Sequence, residues 1–390
     1  MKLLESVRSV VMTLLNKSSL LKNKKASCKQ TFKIAWIAVL GGMSVIAPIN
    51  ISQAKEGNFT TIQLTNNSFD DLSPKISGSN VVWQGGEYDN YEIFFHKGKN
   101  TTQLTKNNFN DFAPQISGNN VVWQGATSNN INSFEIFLYN GSTTKQLTKN
   151  NFYDSDPQIS GSKVVWGGYT GGSDSAAAVE IFFYDGKTTR QLTKNRLFDF
   201  YPQIADSKIA WSGYTGPLNS CEEIFYYKRS KTTQLTKNSL SDSSPQISGS
   251  NIAWLGFDGN DTEIFFYNGK TTTQLTNNSF DDNAPEISGS KVVWQGNSPG
   301  LSEIFLFDGK TTTQLTDNNF EDRLPQISGS NVVWSGFDGK DYEIFFYDGT
   351  TTTQLTDNNF NDSEPQISGS NVVWSGSDGD DTEIFLATPD

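Results

Sequence analysis

From about residue 55 onward the chain alternates short apolar runs with polar turn formers at a fixed beat. In the first unit the runs are Pro74-Lys75-Ile76-Ser77, Asn80-Val81-Val82-Trp83, Glu92-Ile93-Phe94-Phe95 and Thr101-Thr102-Gln103-Leu104-Thr105. Runs of this length, rich in β-branched and aromatic residues, predict strands. Their separators, Ser-Gly-Ser or Ser-Gly-Asn after the first run and Asp-Gly-Lys or Asn-Gly-Lys after the third, predict tight hairpins in which Gly or Asn takes positive φ. Each unit is therefore a four-stranded antiparallel meander.

The unit recurs. Gln-Leu-Thr begins at Gln63, Gln103, Gln146, Gln191, Gln234, Gln274, Gln314 and Gln354, in steps of 40, 43, 45, 43, 40, 40 and 40 residues. After each tripeptide come an Asn, an Asp, a Pro three residues beyond it, an Ile, a Trp, a Gly and Glu-Ile-Phe; the first set is Asn67, Asp71, Pro74, Ile76, Trp83, Gly85 and Glu92-Ile93-Phe94. A lone sheet of four strands leaves two apolar faces uncovered, and radial repetition buries both against neighbours. The region opens on a fourth-strand sequence, Thr61-Ile62-Gln63-Leu64-Thr65, and ends on a third-strand one, Glu383-Ile384-Phe385-Leu386. If the first completes the last, no sheet edge stays open. The fold class expected is all-β: an eight-bladed β-propeller over residues 61–390, closed by its N-terminal strand.

Residues 1–54 differ in kind, with eight basic residues against the single acid Glu5 and an apolar run from Ile34 to Ala47 ahead of Ser52-Gln53-Ala54. This predicts a cleaved signal peptide, followed by a short linker over 55–60. An uncleaved anchor is the alternative. Export places the protein in the periplasm or outside a bacterial cell, meeting the membrane only through its signal. Losing the leader moves the formal charge from −12 to −19. So acidic a surface repels phosphate backbones and argues against nucleic acid as a partner. Only Cys221 remains beyond the leader, so no internal disulfide is expected, and a monomer is.

Leu315-Thr316, Asp322, Pro325, Val332-Val333-Trp334 and Ile344-Phe345-Phe346 ahead of the turn at Gly349 resemble the WD40-like, TolB-type (PD40) propeller repeat. The resemblance covers all eight copies and implies the propeller fold and export. It does not extend to the Tol system: TolB places an α/β domain before a six-bladed ring, and its Ser-Pro-Asp-Gly turn is replaced here.

Length variation is confined to one place. Gln-to-Trp is always 20 and Glu-to-Gln always 11, whereas Trp-to-Glu runs 9, 12, 14, 12, 9, 9, 9 and 9. Three consecutive units thus carry long loops, Gly125 to Glu135, Gly168 to Glu180 and Gly213 to Glu223. Beside them aromatic residues replace small or polar ones. Tyr153, Tyr169, Arg196, Phe198, Phe200, Tyr201 and Tyr214 are the expected ligand-binding residues, suited to stacking on a sugar or peptide. Loop aromatics that cover one another are the plainer reading.

Asp71, Asp111, Asp154, Asp199, Asp242, Asp282, Asp322 and Asp362 precede the innermost strands and would ring the channel mouth. An Asp three residues before a Pro more often accepts local backbone bonds, so a structural role is expected. Asp258-Gly259-Asn260-Asp261, Asp338-Gly339-Lys340-Asp341 and Asp378-Gly379-Asp380-Asp381 offer calcium-type oxygen ligands but lack the EF-hand spacing. No metal or other cofactor is expected, with calcium as the alternative.

His96 is the only histidine and no Gly-x-Ser-x-Gly elbow exists, so zinc and Ser-His-Asp chemistry lack parts. The reading is a non-enzymatic scaffold binding an envelope protein, peptide or glycan. Two alternatives stand beside it: a carboxylate-based glycan-active hydrolase or lyase, and a purely structural surface protein.

Overall fold

The computed structural model describes residues 59–87, 90–128, 134–150, 152–171, 178–216, 221–298 and 300–390. The leader and parts of the three long loops lie outside the described residues. Among the described residues all regular structure is strand, arranged as eight four-stranded antiparallel sheets. Blade 1 is built from Asp71–Ser77, Asn80–Glu87, Asn90–Lys97 and Asn100–Gln103, from the centre outward. Blades 2 to 8 begin at Asp111, Asp154, Asp199, Asp242, Asp282, Asp322 and Asp362.

The ring closes as the chain ends predict. Phe59–Gln63 is the outer strand of blade 8, antiparallel to Thr382–Pro389, with Phe59 opposite Pro389 and Gln63 opposite Phe385. It starts two residues before Thr61 because Phe59 is apolar and has a place to go: its ring meets that of Phe346 edge-on at 5.0 Å, over Leu355 and Trp374.

Each element of the repeat has a mechanical reason. The Thr of Gln-Leu-Thr accepts from the backbone N–H of the Ile in Glu-Ile-Phe, as Thr105 does from Ile93 at 2.8 Å, and the Leu N–H donates to that Ile carbonyl at 2.7 Å. The outer strand is thereby stitched to the third. The second strand's Val-Val-Trp is buried between blades: Val82, Ile93 and Phe95 of blade 1 pack on Val121 and Trp123 of blade 2. Every repeat Trp stacks on the Phe of its own Glu-Ile-Phe at 5.7 to 5.9 Å.

On the face carrying the hairpin turns, neighbouring blades are linked by a backbone N–H, from Gly or in blade 4 from Asp206, to a Ser hydroxyl of the preceding blade, such as Gly118 to Ser77 at 2.9 Å. Gly78 of blade 1 donates likewise to Ser368 of blade 8. Blade 4 carries Ala205 where the others carry Ser, so it offers no hydroxyl to blade 5.

Candidate functional site

Chain direction puts the loops between second and third strands, and the loops between blades, on one face, here called the top. Two features of the inner strand shape that face. The first is a β-bulge in every blade: pairing slips by one residue between Leu72 and Lys75 and at the seven equivalent places. The extra residue is Ser73, Ala113, Asp156, Tyr201, Ser244, Ala284, Leu324 or Glu364, each with φ between 48 and 55°. A non-glycine residue held in that region costs on the order of 1 kcal/mol, which the ladder on either side supports. Pro follows directly, where the interrupted ladder asks for no donor.

The second feature is the fate of the eight aspartates. They are 0–3 % exposed and do not line an opening. In seven of them Oδ1 accepts the indole N–H of the Trp twelve residues on, as in Trp83–Asp71 at 2.7 Å, whereas in blade 6 the Trp294 indole N–H is buried without a partner; in all eight Oδ2 accepts the side-chain amide of the Asn four residues back, as in Asn107–Asp111 at 2.7 Å. That Asn also folds its own loop, its Oδ1 accepting from the residue two on. Beside each aspartate lies the Glu of the preceding blade's Glu-Ile-Phe. Glu92 Oε1 accepts from Asn107 N at 2.6 Å, while its Oε2 is buried without a protein donor. Two carboxyl groups in one dry seam cannot both ionise comfortably. Burial, abetted by Glu92, raises Asp111 to about 7, and burial raises Asp154 and Asp199 to about 6.

With the aspartates turned inward, the bulge residues border the top end of the axis. Below them the residue after each Pro forms a collar of Gln115, Gln158, Gln203, Gln246, Gln326 and Gln366, interrupted by Lys75 and Glu286. Burial lowers Lys75, and Glu286 opposes that shift; Glu286, raised to about 7 by burial, accepts from Gln246 at 3.3 Å. Sequence reasoning missed this pair, although charge at a position otherwise held by Gln was the available signal.

The expected ligand-binding residues fall into two ring clusters. Tyr153 meets Tyr169 at 6.2 Å and extends through Phe134 to Phe112, two rings the sequence reading did not include. Phe200 meets Tyr201 at 5.1 Å and Tyr214 at 5.6 Å. Asp156 joins the clusters electrostatically, acting on both Tyr153 and Tyr201, and Glu222 also acts on Tyr201. Glu222 is 8 % exposed, pushed up to about 7 by burial and hydrogen-bonded by the Tyr214 hydroxyl at 3.4 Å. Tyr201 itself is 53 % exposed. Arg196 and Phe198 lie outside both clusters: Arg196 is exposed at φ 58° with its N–H on Glu180, Phe198 gives its carbonyl to Tyr214 N, and among the described residues neither makes a ring contact.

The rest of the top face carries apolar groups from the loops between blades, at Phe69, Phe109, Phe152, Leu197, Leu240, Phe280, Phe320 and Phe360; Phe152, Phe280 and Phe320 are 38–40 % exposed. Between blades 5 and 6 they border a groove of about 590 Å³ lined by Asn260, Asp261, Phe280, Leu301 and Glu321 among others.

Neither a family model nor a curated protein matches the chain. Solved structures do. The propeller domain of the Trilobed protease from Pyrococcus furiosus, described as having an open velcro topology, is 16% identical over 75% of this chain and 99% of that one, with a TM-score of 0.55. The computationally designed Ika8 protein is 15% identical over 83% and 98%, with a TM-score of 0.55. The Pyrococcus horikoshii acylaminoacyl peptidase is 12% identical over 79% of this chain, with a TM-score of 0.53, and the chain spans 57% of its length. The likeness is one of fold. At these identities the β-propeller is shared, and no chemistry comes with it.

Proposed function

We propose that the protein is an exported propeller of the TolB-type repeat class, acting without catalysis as a binding scaffold in the cell envelope. The single observation that carries this is Tyr201: an aromatic residue at a bulge, 53 % exposed, within electrostatic reach of the carboxylates Asp156 and Glu222 and packed on Phe200, which in turn meets Tyr214. A rigid, partly exposed ring flanked by acceptors suits a neutral glycan, which stacks on the face and donates its hydroxyls, or a peptide carrying a basic side chain. The acidic surface favours the same partners and disfavours nucleic acid.

The test is a glycan array and an envelope-protein pull-down with the protein and with Tyr201→Ala and Phe200→Ala. A reproducible partner lost in both variants supports the reading. A partner retained by both removes these blades from consideration and directs attention to the groove at Phe280.

Glu222 favours a second reading, since a buried carboxyl raised to about 7, sharing Tyr201 as an electrostatic neighbour with Asp156, has the makings of an acid paired with a base. Turnover of aryl glycosides abolished by Glu222→Gln would establish it in place of the first.

A further inference from the structure

Blades 5, 7 and 8 share a turn the others lack, Asp-Gly-x-Asp-x-Glu, running Asp258 to Glu263, Asp338 to Glu343 and Asp378 to Glu383. The first Asp makes the turn, its Oδ1 accepting from the N–H two residues on at 2.9 to 3.1 Å. The turn brings carboxylates together. One oxygen each from Asp258, Asp261 and Glu263 lies within 4.8 Å of the others, and the same holds for Asp378, Asp381 and Glu383. In blade 7 the third member is Asp357, from the following loop, with Asp338 and Glu343.

Like charges gathered this closely need a reason, and hydrogen bonding does not supply it. In blades 5 and 8 a member of the set, Asp261 or Asp381, keeps Oδ1 buried with no donor, and in blade 7 the donorless Oδ1 is that of Asp341, next to the set in the same turn; Asp261 and Asp341 are each only 7 % exposed. This is separate from the unpartnered glutamate oxygen found in every blade, which has the neighbouring aspartate beside it. Blade 6 makes the contrast: its loop, of equal length, puts Leu301 where the second Asp stands, and no such cluster forms there among the described residues.

We propose that these three turns are calcium sites. Ligand oxygens about 2.4 Å from a calcium ion stand at most about 4.8 Å apart, and the carboxylate oxygens of each set lie within that reach of one another. The donors are hard oxygens only, without the nitrogen or sulfur that would favour zinc. Three carboxylates per site supply the charge, and water completes the shell from the solvent side, where the first Asp is half-exposed. In blade 5, Asp261 also lines the groove between blades 5 and 6, which gives the ion a way in.

The experiment counts calcium alone, by isothermal titration and equilibrium dialysis at about 1 mM, within the range of extracellular sites. It uses the full chain and the variants Asp258→Asn, Asp338→Asn and Asp378→Asn, singly and together. Asn keeps the turn's acceptor while removing the charge, so the blades stay folded. Three equivalents, two in each single variant and none in the triple are expected, with a melting temperature that rises with calcium and falls back with chelator. Asp308→Asn, in a hairpin on the opposite face, leaves the count at three. Absence of binding, or a count unchanged in the triple variant, overturns the proposal.

Discussion

The indole N–H of Trp211 donates to Oδ1 of Asp199 across 2.9 Å, and both side chains are sealed from solvent. The bond ties the second strand of blade 4 to the loop entering it, while Asn195 holds the other carboxylate oxygen at 2.9 Å. Asp199→Ala strands a buried N–H, and a stability loss of about 2–4 kcal/mol is expected in denaturant titrations. A loss below 0.5 kcal/mol would show that the network is ornamental.

A Cβ added to Gly213 would sit 2.2 Å from the same Oδ1 and 3.2 Å from the Phe225 ring. Its φ is ordinary, so the objection to a side chain is steric rather than conformational. Gly213→Ala should cost about 1–3 kcal/mol. Combined with Asp199→Ala, which removes the obstructing oxygen, it should cost less than the two losses added. Simple additivity in the double-mutant cycle would refute the contact.

Stability should fall as pH rises from about 4 to about 7. Unfolded aspartates release their protons near 3.8, whereas burial holds Asp111 at about 7 and Asp154 and Asp199 at about 6. Inside that window the folded chain binds protons that the unfolded chain has lost, so alkalinity favours unfolding. Melting temperatures measured in chelator from pH 4 to 8 check the sign; a rise across the window contradicts it.

Phe59→Ala should cost about 3–5 kcal/mol, the usual range for emptying a buried phenylalanine site. It should also loosen the outer strand of blade 8 and expose the edge of Thr382–Pro389 to other chains. Light scattering would then report oligomers at concentrations where the parent is monodisperse. An unaltered variant would mean that Ile62 and Leu64 hold the strand without it.

The blades and their closure were legible because each strand's composition, turn chemistry and ring position agree, and eight copies make the agreement hard to miss. The bulge was less so. Pro74 signalled a break in pairing, but the sequence does not say which neighbour takes the extra residue. That choice decides the site: with the slip at Ser73, Asp71 turns inward to Trp83 and the residue two places on turns outward. The constant twelve-residue interval from Asp to Trp, alongside the four-residue interval from Asn to Asp, was the trace of that network. Tyr201 stood out by sequence as an aromatic neighbour of long loops, yet its partners Asp156 and Glu222 come from blade 3 and the far end of a loop, and only the ring's geometry assembles them.

The Thr60 hydroxyl donates to Asp390 at 2.7 Å, across 330 positions of chain. During synthesis the first strand therefore waits, its ladder groups unanswered, until residues 382–389 have emerged. The order of assembly is fixed by this: blades 1 to 7 can form as they emerge, but blade 8 must recruit the oldest segment to finish. Closure thus comes only with the last blade, and a chain that stalls before it carries an unlatched strand edge open to other chains.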